Sequence, residues 1–213
     1  ALGLLASSGA PGAETAPLAE AGDLHGVESP EEELRARLLS DHGALLLNLD
    51  RLDEAEAVLR RALELRRDLH GDRHPELGPI LNNLAQVRSL AGDYEEAEEL
   101  LRELLSWSSD LLGEDHPMIA EWESNLSAAL KGMARYEEAV EIQLRVVERW
   151  RATYGDEHGR VASALNDLSN LYADLGRLDE AESTLEEALA INRSLFGNEH
   201  PNVATNLNNL ATL

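Results

Sequence analysis

Gly71, Gly113, Gly155 and Gly197 recur at intervals of forty-two residues, and His74, His116, His158 and His200 keep the same interval without drift. A fixed period between about 20 and 50 residues marks a stacked array, in which each unit lacks a complete core and buries its apolar face against the next. That period constrains the fold more tightly than the length of 213 residues does. An array grows lengthwise, so no single central core has to scale with the chain.

Reading down the repeat assigns a task to each position. Gly43, Ala85, Ser127, Ser169 and Ala211 form one column of small residues, and Ala55, Ala97, Ala139 and Ala181 form another. Small residues at fixed places in two neighbouring helices let their backbones approach closely. Leu84, Leu126, Leu168 and Leu210 stripe the first helix of each unit, and Leu63, Leu105, Val147 and Leu189 stripe the second. Each glycine of the 71 column follows a long helix and suits its left-handed C′ position. Pro75, Pro117 and Pro201 sit where a helix can begin without their N–H, and Gly92 and Gly176 mark tight turns between paired helices. The pattern predicts helices over 31–48, 52–70, 75–91, 94–112, 117–133, 136–154, 159–175, 178–196 and from 201 onward.

The run Leu81-Asn82-Asn83-Leu84-Ala85 leading to Gly92-Asp93-Tyr94-Glu95-Glu96-Ala97 resembles the tetratricopeptide repeat. The forty-two-residue unit with its Gly-x-x-His-Pro joint is similar to the long variety found in kinesin light chains and many bacterial proteins. The resemblance covers roughly 30–213 and implies an all-α, right-handed solenoid of four hairpins plus a terminal helix, with units near 30–71, 72–113, 114–155, 156–197 and a truncated 198–213. The first unit departs: Pro30 to Asp53 spans 23 residues where Pro75 to Glu95 spans 20. Residues 1–29 read as a linker or disordered tail, although Asp23-Leu24-His25-Gly26 duplicates Asp68-Leu69-His70-Gly71 and suggests a worn repeat.

The formal charge is −23 with a single lysine, Lys131, which disfavours nucleic acid and favours neutral or basic partners. Much of that charge has a local explanation. Acids gather at the start of the second helices (Asp53-Glu54, Glu95-Glu96, Glu137-Glu138, Asp179-Glu180) and arginines near their ends (Arg66-Arg67, Arg149, Arg151, Arg193), complementing the helix dipole. The longest apolar run is Ala44 to Leu47, so no membrane insertion is expected, and with no cysteine there is no thiolate site. Arginine, alanine, leucine and glycine usage suggests a GC-rich bacterial gene, and the absence of a targeting segment suggests the cytoplasm.

No catalytic pattern is found. The histidines of successive units stand ~10 Å apart, whereas zinc ligands lie ~2.1 Å from one ion, so each histidine is expected to cap the following helix and no metal or other cofactor is expected. Trp107, Trp122 and Trp150 fall among leucines and read as core. Glu123 stands in the column of Leu39, Leu81, Leu165 and Leu207, and is expected to point outward while Trp122 fills the core.

What the resemblance implies for function is a concave surface lined by the first helices. Carried onto this sequence, the peptide-facing positions are Asn82, Asn83, Gln86 and Ser89; Ser124, Asn125 and Lys131; Asn166, Asp167, Asn170 and Asp174; then Asn208 and Asn209. Side-chain amides both donate and accept, so they can pair with an extended backbone whatever its side chains. Alternatively the same amides stitch adjacent helices together. The reading is therefore a non-catalytic scaffold for a protein or peptide. The other readings are a regulatory or targeting arm of a larger bacterial kinase or protease, and an end-to-end self-association module using 201–213, where Leu207, Leu210 and Leu213 lack a following helix.

Overall fold

The computed structural model describes residues 30–213, and the expectations for 1–29 lie outside the described residues. Among the described residues nine α-helices follow one another: α1 Pro30–Asn48, α2 Leu52–His70, α3 Leu77–Leu90, α4 Tyr94–Leu112, α5 Pro117–Gly132, α6 Tyr136–Tyr154, α7 Gly159–Asp174, α8 Leu178–Phe196 and α9 Pro201–Thr212. No strand occurs among the described residues. Each helix packs chiefly on its chain neighbours, and α3 also meets α1 and α5 directly. The two same-layer approaches, α1 to α3 and α3 to α5, both join odd-numbered helices, and these form the inner, concave layer.

Small columns set the hairpin geometry. Ala55, Ala97, Ala139 and Ala181 are fully buried. In the third and fourth hairpins the facing residues are Ser127 and Ser169, whose buried hydroxyls donate to the Ala139 and Ala181 carbonyls at 3.0 and 2.8 Å. Around these contacts runs one continuous core from Leu46 to Ile191, including all three tryptophans.

Every hairpin turn is the same Schellman motif. In the second, Gly92 N–H bonds to Ser89 O at 3.1 Å and Asp93 N–H to Arg88 O at 2.9 Å. The left-handed residue is Gly92 (φ 85°) or Gly176 (φ 72°), but Asp50 and Ala134 occupy the equivalent places with φ 58°. The joints between units differ from the expected left-handed C′ cap. Gly71, Gly113, Gly155 and Gly197 combine positive φ with extended ψ of −175°, 148°, 170° and 174°. That region is essentially restricted to glycine, which accounts for the invariance of the column.

The capping role expected for the histidines is present. His116, His158 and His200 Nδ1 accept the backbone N–H two residues on, at 3.2–3.3 Å. A ring at the end of the preceding helix stacks on three of the four: His70 on His74, Tyr154 on His158 and Phe196 on His200, with centroids 4.2–4.4 Å apart. Pro75 does not begin its helix. Pro79 has no N–H to close an α-turn onto residue 75, so the segment opens with three-residue bonds (Leu77 to His74, Gly78 to Pro75) and α3 starts at Leu77.

Candidate partner-binding groove

The thirteen predicted groove residues lie on the inner helices α3, α5, α7 and α9: Asn82, Asn83, Gln86 and Ser89; Ser124, Asn125 and Lys131; Asn166, Asp167, Asn170 and Asp174; Asn208 and Asn209. Asp167, Asp174 and Asn208 are exposed, and the others are half-buried. Their amides are partly committed to one another. Asn125 Nδ2 donates to Asn82 Oδ1 at 2.7 Å, joining α5 to α3, and Asn209 Nδ2 donates to Asn166 Oδ1 at 3.0 Å, joining α9 to α7. Asn206 also donates to Asn166 Oδ1 at 3.1 Å and accepts from the buried Asn192 at 2.7 Å. The stitching role is thus real at two junctions.

At the other two inner-layer junctions the bond is absent: between α1 and α3 the equivalent pair is Ser40 and Asn83, and no hydrogen bond links them among the described residues. The equivalent pair between α5 and α7 is Ser124 and Asp167, and no hydrogen bond links them among the described residues. Here a cavity of about 240 Å³ opens between α5 and α7 over α6. Ser124, Asn125, Lys131, Asp167 and Asn170 line it, with Gln143 at its base. Two further cavities run along the same face, one toward Trp150 and Arg160 and one toward Asn206 on α9. Asp167 lines all three. Although solvent reaches its carboxyl, surrounding protein strips away part of its hydration and raises its pKa; a hydrogen bond from Asn166 and the charge of Lys131 act in the opposite direction.

Charge elsewhere along the face is matched. Lys131 Nζ meets Asp174 at 2.9 Å across the far end of the cavity. Arg160 pairs with Glu121 at 3.3 Å and lies over the Trp150 ring, 4.7 Å from its centroid. On the even-numbered helices arginines link successive units: Arg60 to Glu96, Arg67 to Glu103, Arg135 to Glu98 and Arg151 to Glu187, each at 2.5 Å. Arg135 is held far above the usual guanidinium range, chiefly by its hydrogen bond to Glu138. Such exposed pairs contribute little to stability, because water and salt screen them.

The third hairpin corrects one expectation. Trp122 is buried as expected, yet Glu123 does not reach solvent: it is 6 % exposed and its two oxygens meet Arg145 at 3.2 Å and Arg149 at 2.9 Å. A carboxylate can occupy this leucine column because α6 supplies both cations; without them its burial would cost several kcal/mol. Gln143 escaped the sequence reading altogether, although its column otherwise holds Leu59, Leu101 and Leu185. Its Nε2 donates to the Ala164 carbonyl at 3.0 Å, and the side chain is 1 % exposed.

Histidines of successive units do not converge, but His70, His74 and Glu76 bring potential ligand atoms within 4.8 Å of one another at a single joint. Arg66 already brings positive charge there. Its guanidinium bonds to Glu33, lies 2.5 Å from Glu76 and 3.3 Å from His70 Nε2, and opposes a second cation. No helix among the described residues is long and apolar enough to cross a membrane.

A stack of helical hairpins with a polar inner face defines a repeat scaffold of the kind that holds other proteins. The chain belongs to the tetratricopeptide-repeat family, whose model matches residues 34–106, 80–142, 118–194 and 161–213 in overlapping registers. The fold is similar to the nearly identical TPR-like repeats of a Podosopora anserina protein described as a kinesin light chain (TM-score 0.76, 23 % identity, 87 % of each chain covered). It is also similar to a Rap protein complexed with competence and sporulation factor (TM-score 0.67, 15 % identity, 83 % of this chain and 47 % of that one). Among curated proteins, 61 residues are 36 % identical to the secreted RxLR effector protein RXLR-C07 of Plasmopara halstedii, covering 29 % of this chain. The chain spans about a fifth of the length of the curated relatives it matches.

Proposed function

We propose that this chain is a non-catalytic scaffold that holds an extended peptide or partner segment along its inner face. The observation that carries this reading is the open α5–α7 junction, where Ser124, Asn125, Asp167 and Asn170 border a cavity instead of bonding across it. Extended backbone presents unpaired N–H and C=O groups, and the amides of Asn125 and Asn170 offer both complements. The partner is neutral or basic: the cations at this junction, Lys131 and Arg160, are bound to Asp174 and Glu121, which leaves none for an acidic tail.

The test is a selection of random dodecapeptides on the chain, followed by titration of the best binder into ¹⁵N-labelled protein. Movement of the side-chain amide signals of Asn125, Asn170 and Gln143 is expected. Shifts that spare Asn125, Asn170 and Gln143 would place binding elsewhere and end the reading.

A second reading, self-association, has its own observation. Leu34, Leu38 and Leu45 on α1 and Leu49 just beyond it form an exposed stripe, 56–58 % accessible, while Leu207 on α9 and Leu213 just beyond it are exposed. Faces of this kind are ordinarily covered. Sedimentation velocity over a hundred-fold concentration range should reveal head-to-tail association, and an unchanging monomer would remove this reading.

A further inference from the structure

We propose that the α5–α7 junction is a subsite for one basic side chain of the bound segment, with Asp167 as counter-ion and the Gln143 carboxamide as an acceptor beneath it. The proposal rests on the groove reading above and gives it a chemistry.

Three independent features point the same way. At the stitched junctions an amide in the Asn125 position donates to an amide one unit earlier. Asp167 occupies that position on α7, and a carboxylate has no proton to donate, so it is left facing the groove. The other charges lining the three cavities are matched, Lys131 by Asp174 and Arg160 by Glu121, whereas Asp167 has no ion-pair partner among the described residues. At the base of the cavity, Gln143 breaks a column of leucines. Because the Ala164 carbonyl requires a donor, Nε2 is fixed toward it, and the Oε1 atom meets no donor among the described residues.

A negative oxygen at the mouth and a neutral acceptor at the base call for a cation carrying several N–H donors. A guanidinium presents five and an ammonium three. The cavity has room for roughly eight waters at ~30 Å³ each, enough for one long side chain but not for a folded element. Partial dehydration already burdens the Asp167 carboxylate, and an incoming cation would relieve that burden.

The experiment repeats the dodecapeptide selection on wild type, Asp167→Asn and Gln143→Leu. Asparagine stands at the position of 167 in three other units (Asn83, Asn125, Asn209), and leucine at the position of 143 in the other units, so both variants are expected to fold; circular dichroism and melting confirm it. Wild type should enrich peptides with arginine or lysine at one fixed place. Exchanging that arginine for its uncharged isostere citrulline should weaken binding at least about ten-fold, equivalent to 1.4 kcal/mol. Asp167→Asn should erase the difference between the arginine and citrulline peptides while retaining backbone binding, and Gln143→Leu should weaken the arginine peptide most. Selected peptides without a basic preference, bound equally by Asp167→Asn, would overturn the subsite and leave the groove reading standing. Capture of no peptide by any of the three proteins would overturn both.

Discussion

The second and third hairpins share a backbone and diverge in what they place on it. In the second, Leu81 and Leu101 fill the core, Gly92 makes the turn, and Asn82 is tied to Asn125 across the α3–α5 junction. In the third, the equivalent residues are Glu123, Gln143, Ala134 and Ser124, and the α5–α7 junction stands open. Repetition makes such departures readable. A residue that breaks its column without breaking the fold has acquired a local compensation, as Glu123 has with Arg145 and Arg149, or stands without an ion-pair partner among the described residues, as Asp167 does.

If the open junction is held in place by its surroundings, α5 must be firmly anchored, and Trp122 is its largest buried side chain. Trp122→Ala should destabilise by ~3–5 kcal/mol in urea unfolding. Trp122 also abuts Gly78, where an added Cβ would lie 2.9 Å from the ring. Next comes the buried carboxylate. Glu123→Ala should cost ~2 kcal/mol, below the ~3–5 of a fully buried pair because Arg145 is half exposed and keeps its hydration. A loss below about 0.5 kcal/mol would mean that the ion pairs do not anchor the hairpin.

The comparison sharpens when the stitch is restored. The double variant Ser124→Asn/Asp167→Asn should rebuild the amide bridge and raise stability by ~0.5–1.5 kcal/mol at neutral pH. Part of this gain is pH-dependent. The folded-state pKa of Asp167 is raised, so its ionised form costs stability above that pKa and costs nothing below the ordinary value of 3.8, where the group is protonated folded or unfolded. The advantage contributed by Asp167→Asn should therefore shrink as pH falls through this range. Smallest is the turn: Ala134→Gly removes ~1–2 kcal/mol of left-handed strain against ~0.5–1 of added chain entropy, a net gain of about 0.5 kcal/mol in melting experiments.

Much of this was legible in the chain. The period, the alanine column and the paired breaks placed α2, α4, α6 and α8 with both ends correct, because small-residue contacts and glycine joints are encoded locally. The start of α3 was misplaced because Pro79, one turn further on, governs which bonds its first turn can close. Burial of Glu123 depends on arginines 22 and 26 residues away on another helix, and no local signal announces them. Gln143 was within reach, since its column is otherwise leucine, but it lies on an outer-layer helix where groove residues were not sought. The candidate groove residues fall on the inner helices, whereas the division between bonded and unbonded amides has no local signal, because it turns on which amide reaches which.

The most direct test of the account is the affinity of one selected peptide for wild type and for Ser124→Asn/Asp167→Asn, measured side by side by titration calorimetry. An open junction that serves as the binding site predicts at least a ten-fold loss in the stitched variant, about 1.4 kcal/mol, with helicity and melting temperature retained or raised. Equal affinity in the two proteins would contradict it.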